Sequence, residues 1–116
     1  MEIPPEINQK IQELQLLEQS LQNFVMQKQT FQVELNETIN AMEEVSKSKD
    51  EVYRILGGIM VKTDKETLSK ELEEQKKVLE LRIQSIEKQE KSIEEKSSAL
   101  QSEIQKSIEA SKNSAK

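Results

Sequence analysis

Val52-Tyr53-Arg54-Ile55-Leu56-Gly57-Gly58-Ile59-Met60-Val61-Lys62-Thr63 is the stretch on which the fold turns. Two short runs of β-favouring residues flank a glycine pair. A two-residue hairpin turn needs positive φ at its centre, which glycine adopts without steric cost. Both glycines of the 116-residue chain stand here. The spacing predicts an antiparallel hairpin; a longer loop with one glycine in a bulge is the alternative. With a two-residue turn, Leu56 pairs with Ile59, Ile55 with Met60 and Arg54 with Val61. One face then carries Val52, Leu56, Ile59 and Val61, and the other Tyr53, Ile55 and Met60. Both faces are apolar, whereas a hairpin on a solvated domain alternates apolar and polar. A lone two-stranded hairpin is marginal in water and has two open edges. Strands from other chains, closing a barrel or sandwich, resolve both problems. Val52, Tyr53, Ile55, Leu56, Gly57, Gly58, Ile59, Met60 and Val61 are therefore the expected oligomerisation element. The competing reading folds the hairpin back onto its own helix ends.

Outward from the hairpin, both flanks read as long helices. Residues 5–45 open with Pro5, suited to a first helical turn. With Ile11 as heptad position a, the a and d positions are Ile7, Ile11, Leu14, Glu18, Leu21, Val25, Lys28, Gln32, Leu35, Ile39 and Met42, eight of eleven apolar. A neighbouring column holds Leu17, Phe24, Phe31, Thr38 and Val45, so the stripe is wider than a two-column seam. Such a helix is about 60 Å long and needs a partner to cover the stripe. Residues 64–110 supply one: Leu72, Lys76, Leu79, Ile83, Ile86, Glu90, Ile93, Ser97, Leu100, Ile104 and Ser107 repeat the pattern, seven of eleven apolar. Thr63 and Glu66 fit a capping box at its start. Residues 46–63 form linker and hairpin, and 111–116 lack periodicity and read as a disordered tail. Folding at the hairpin lays the helices antiparallel, in an alignment that sets Lys28 near Glu90, Leu35 opposite Ile83 and Ile39 opposite Leu79. The expected fold class is mainly α: a long antiparallel two-helix coiled coil with one β-hairpin at the connection, the hairpins joining into an intersubunit β-barrel or sandwich.

Composition narrows the function. The chain has no Cys, no His and no Trp, 3% aromatic residues, two Gly and two Pro, with 34% charged residues and a net charge of −5. Disulfides, thiolate nucleophiles, imidazole bases and the usual zinc ligands are absent. The remaining carboxylates, lysines and hydroxyls lie along helices without a pocket, so no catalytic, cofactor or metal site is expected. No phosphate loop is present, because Gly57-Gly58 lacks the spacing and the following Lys-Ser/Thr. No basic block points to nucleic acid, and no apolar run is long enough for a membrane. With no signal peptide opening the chain, a cytoplasmic protein is expected.

The pattern helix, then Val52-Tyr53-Arg54-Ile55-Leu56-Gly57, then Val61-Lys62-Thr63-Asp64-Lys65-Glu66, then helix, resembles the prefoldin beta subunits of archaeal, single-hairpin type. The resemblance covers nearly the whole chain, including Pro4-Pro5. The Gly57-Gly58 pair departs from it, since related chains often carry a single Gly here. The resemblance implies a heterohexamer of two alpha-type and four beta-type subunits, with hairpin barrels and six projecting coiled coils. It further implies an ATP-independent chaperone that captures non-native polypeptides and passes them to a group II chaperonin.

The helix ends furthest from the hairpin carry Ile3, Ile7, Ile11 and Leu14 on one side and Leu100, Ile104 and Ile108 on the other. Near a fraying end these cannot all be covered by a two-helix seam. Partly exposed apolar groups suit a client of no fixed shape, so these seven are the expected client-binding residues. Plain seam packing is the competing account of them. A structural coiled-coil scaffold or oligomerisation subunit that never touches unfolded chains explains the heptads equally well.

Overall fold

The computed structural model describes residues 4–49 and 51–114. Four elements follow in order: α1 (Pro5–Lys47), β1 (Val52–Leu56), β2 (Ile59–Thr63) and α2 (Lys65–Ser114). The chain gathers into a hairpin unit, residues 28–85, and a terminal unit, residues 1–27 with 86–116.

In the hairpin unit β1 pairs antiparallel with β2, in the register Val52–Thr63, Tyr53–Lys62, Arg54–Val61, Ile55–Met60 and Leu56–Ile59. Gly57 and Gly58 take φ of 55° and 84°, the two positive values that a tight hairpin turn of type I′ demands. The bulged alternative is not what forms. At the base, α1 ends at Lys47 and Lys65 stands over its last turn, its Nζ donating to the carbonyls of Ser46 (3.2 Å) and Ser48 (2.8 Å). A cation there satisfies carbonyls at the helix end and suits the negative end of the helix dipole.

α2 starts one residue later than the expected capping box. Thr63 closes the ladder opposite Val52, and Asp64 is the N-cap: its carbonyl accepts from Leu68 N (2.9 Å) and its Oδ2 from Thr67 Oγ1 (3.3 Å). The strand pairing takes Thr63, and Asp caps as well as Thr. At the other end of the chain the helix runs through Ser114, so residues 111–114 are helical rather than the disordered tail expected from their composition. Ile104, Ser107 and Ser111 are half-buried and carry the seam onward at helical spacing. Residues 115 and 116 lie outside the described residues.

On α2 all eleven expected seam positions are buried or half-buried, with Leu79, Ile83 and Ile86 the most deeply covered. On α1 one of the two columns is displaced. Leu14, Leu17, Leu21, Phe24, Lys28, Phe31, Leu35, Thr38, Met42 and Val45 are buried or half-buried, in alternating steps of three and four. Glu18, Gln32 and Ile39 are exposed. The d positions stand, but the column of Leu17, Phe24, Phe31, Thr38 and Val45 takes the place of the one that contains Ile11. Two phenylalanines cover more apolar area than Val25 and Gln32, and this phase also keeps Glu18 in water. The buried Thr38 donates its hydroxyl proton to the Glu34 carbonyl at 2.8 Å, so its side chain is not stranded.

The change of phase alters the expected pairing. Ile39 is exposed and so is not the seam partner of Leu79. Within the hairpin unit, α1 and α2 meet where the Arg82 guanidinium lies 5.6 Å from the Phe31 ring centre. Within the terminal unit they meet where Lys10 pairs with Glu103 at 3.8 Å.

Candidate functional site

Among the described residues, the apolar side chains left without cover include those of the hairpin in one unit and groove-lining residues in the other, besides Val33, Ile39, Val78 and Leu81 scattered on the helix flanks of the hairpin unit. The first is the hairpin. Val52 is buried and Thr63 half-buried, so the first pair of the ladder rests within the chain's own packing. Arg54 is tied to Glu71 of α2 by an ion pair. Beyond that anchor the apolar residues stand in solvent: Ile55 is 72% exposed, and Tyr53, Leu56, Ile59, Met60 and Val61 are exposed with it. The competing reading, a hairpin folded back onto its helices, holds only for the Val52–Thr63 pair. Next to the ladder base, Glu51 accepts from Tyr53 OH (2.7 Å) and from Lys62 Nζ (2.6 Å), and Lys62 pairs with Tyr53 across the strands. The Lys62 ammonium first, and the Tyr53 hydroxyl second, hold the Glu51 carboxyl below its ordinary range; the same carboxylate pushes the Tyr53 phenol up.

The second set is in the terminal unit, where shallow grooves flank the seam. One is lined by Ile11, Leu14, Ile104 and Ile108, with Glu109 and Lys112 among its polar members. Another is lined by Leu16, Leu17, Ala99 and Leu100, with Glu13 and Lys96 among its polar members. Of the residues expected to be presented here, Ile11, Leu14 and Ile104 are half-buried and Ile108 is exposed. Ile7 (4% exposed) and Leu100 (9%) are buried, which corrects the expectation that they are open. Packing within the seam covers them, and Leu100 shows only an edge in its groove. Ile3 lies outside the described residues. Leu16, 64% exposed, is a member of this surface that heptad spacing does not pick out. The doublet Leu16-Leu17 carries the signal, because adjacent residues lie about 100° apart on a helix and cannot both fill one seam.

Among the described residues no group of three or more His, Cys, Asp or Glu side chains is placed to hold a metal ion, and no helix is long and apolar enough to cross a membrane.

Comparison with known proteins gives the class. The family model for prefoldin subunits matches residues 8–111. The chain is 37% identical over 108 residues to the prefoldin subunit beta of Pyrococcus furiosus, covering 91% of this chain and 92% of that one. It is 37% identical over 106 residues to that of Archaeoglobus fulgidus, covering 90% and 91%. The crystal structure of the prefoldin beta subunit from Thermococcus strain KS-1 superposes with a TM-score of 0.85 at 36% identity, over 91% of this chain and 95% of that one. Two long helices joined by one hairpin, matched along almost their whole length, define a chaperone-type subunit. The chain belongs to the prefoldin subunit family, on its beta-type side.

Proposed function

We propose that this chain is one of four beta-type subunits in a heterohexamer with two alpha-type subunits. The assembly works in the cytoplasm as an ATP-independent holder of non-native polypeptides and passes them to a group II chaperonin. What supports this reading is that the exposed apolar residues include a hairpin open on both faces and helix-flank grooves that share no residues with it. Assembly through Tyr53, Ile55, Leu56, Ile59, Met60 and Val61 leaves the terminal grooves available to a client.

Capture by such grooves is weak at each contact. Covering half of an Ile or Leu contributes about 1–2 kcal/mol. Several subunits acting on one unfolded chain multiply the effect through effective concentration. Exchangeable contacts of this size also let the client leave without nucleotide hydrolysis. Client contact is assigned to Ile11, Leu14, Ile104 and Ile108, with Leu16 added. Ile7 and Leu100 support them from within the seam.

The test is dilution of a denatured enzyme into the assembled complex, followed by light scattering. The complete complex suppresses aggregation. A complex built on chains lacking residues 1–10 and 105–116 keeps its mass and loses the protection. An intact complex that gives no protection at all marks a scaffold rather than a chaperone subunit.

A further inference from the structure

Only two of the hairpin residues 52–63 are charged, Arg54 and Lys62, and both are cations. Strand alternation and the register place them on opposite faces. Arg54 stands with Leu56, Ile59 and Val61; Lys62 stands with Tyr53, Ile55 and Met60. Each cation is met by a carboxylate of the same chain that lies outside the two strands. Arg54 pairs with Glu71, early in α2. Lys62 Nζ donates to Oε1 of Glu51, the residue before β1, at 2.6 Å. The other oxygen of Glu51 accepts from Tyr53 OH at 2.7 Å, so both are engaged within the chain. The apolar remainder of each face stays exposed beside a charge that is already balanced.

We infer that Glu71 and Glu51 are built-in counter-ions that ready the hairpin for strands of another subunit with no acidic side chain set against Arg54 or Lys62. The inference rests on the assembly proposed above and adds the chemistry of the partner surface. An unbalanced cation on a strand is a barrier to pairing, one that sheet edges use to stay alone. Burying it in a joint without a counter-ion is costlier than leaving it in water. With counter-ions supplied from α2 and from the residue before β1, the barrier is removed before any partner arrives. The partner then needs only apolar side chains to cover Ile55, Leu56, Ile59 and Met60. A partner that brought its own carboxylates to these cations would crowd them against Glu71 and Glu51. Like-charge repulsion therefore selects against acidic strands.

The experiment mixes the full chain with an alpha-type prefoldin subunit and follows assembly by sedimentation over a dilution series. Glu71→Gln leaves Arg54 without its counter-ion and raises the concentration for half-assembly about tenfold. Arg54→Gln leaves only a part-exposed carboxylate on α2 and assembles within about twofold of wild type. The double variant Arg54→Gln, Glu71→Gln returns to the wild-type range. Glu51→Gln, with Lys62→Gln as its rescue, follows the same order with a smaller loss. Lys62 is the more exposed cation, 64% against 34% for Arg54, and its flexible stem carries the ammonium to water. Circular dichroism, the same for every variant alone, excludes misfolding. A pair that only braced the subunit would lose as much from Arg54→Gln as from Glu71→Gln, and that result overturns the inference. So does wild-type assembly of Glu71→Gln, or a loss confined to Arg54→Gln, the mark of a carboxylate supplied by the partner. Wild type that does not assemble at all overturns the proposed assembly itself, and the inference with it.

Discussion

Residues 52–63 and the seam of α2 are both rich in Ile and Leu, yet the first stretch is largely open to solvent and the second largely covered. The difference is geometric. A helix with one apolar stripe needs one neighbour, and the chain's own α1 provides it. A ribbon with two apolar faces needs cover on both sides, and its own chain supplies cover only at the base, around Val52 and Thr63. Apolar content thus states that a surface must be covered; the number of faces states whether one chain suffices. This is why the same residue types hold the subunit together in one region and are left uncovered in the other.

The largest effect expected from this contrast is in the seam. Ile83→Asp places a carboxylate at a 7% exposed position and destabilises the chain by about 4 kcal/mol, read by heat or urea unfolding. Ile55→Asp, in the open part of the hairpin, changes that stability by less than about 0.5 kcal/mol and instead breaks the oligomer, read by sedimentation. Equal losses of stability in the two variants would erase the distinction between the regions. A smaller effect sharpens the phase of α1. Phe31→Ala costs about 2–3 kcal/mol, whereas Gln32→Ala next to it stays within about 0.5 kcal/mol. The reverse ranking would restore the column that contains Ile11 and Ile39.

The smallest effect is in the hairpin base. Glu51 is held below the ordinary carboxylate range by Lys62 and then Tyr53. A carboxyl depressed on folding stabilises the fold above its unfolded pKa, and that contribution fades as pH falls through the folded value. Glu51→Gln should therefore raise amide exchange in the hairpin slightly at about pH 6 and make no difference at about pH 3. A gap between variant and wild type that widens on acidification contradicts the assigned role of this carboxylate.

Much of this fold is legible in the sequence. The hairpin register follows from Gly57-Gly58, because a two-residue turn uses both glycines. The α2 seam is legible because most of its large apolar residues occupy one pair of columns, with Leu68, Val78, Leu81 and Ile108 off them in no repeating pattern. The phase of α1 is not, since three adjacent columns on that helix hold apolar residues and the choice depends on which side chains cover more area against α2. The burial of Ile7 and Leu100 is hidden for a related reason: periodicity places a residue on a face but does not say how far its partner extends over it. Leu16 is legible in principle, as the member of a leucine doublet that the seam cannot hold.

The Val52–Thr63 pair and the Lys65 clasp on Ser46 and Ser48 close a neck below the hairpin. Everything beyond that neck is a peninsula. Strands could be lengthened there by two residues each, keeping the alternation of faces, without sliding one helix along the other. Hairpin length and helix alignment are thus independent variables for evolution or design, and hairpins could be exchanged between relatives as cassettes.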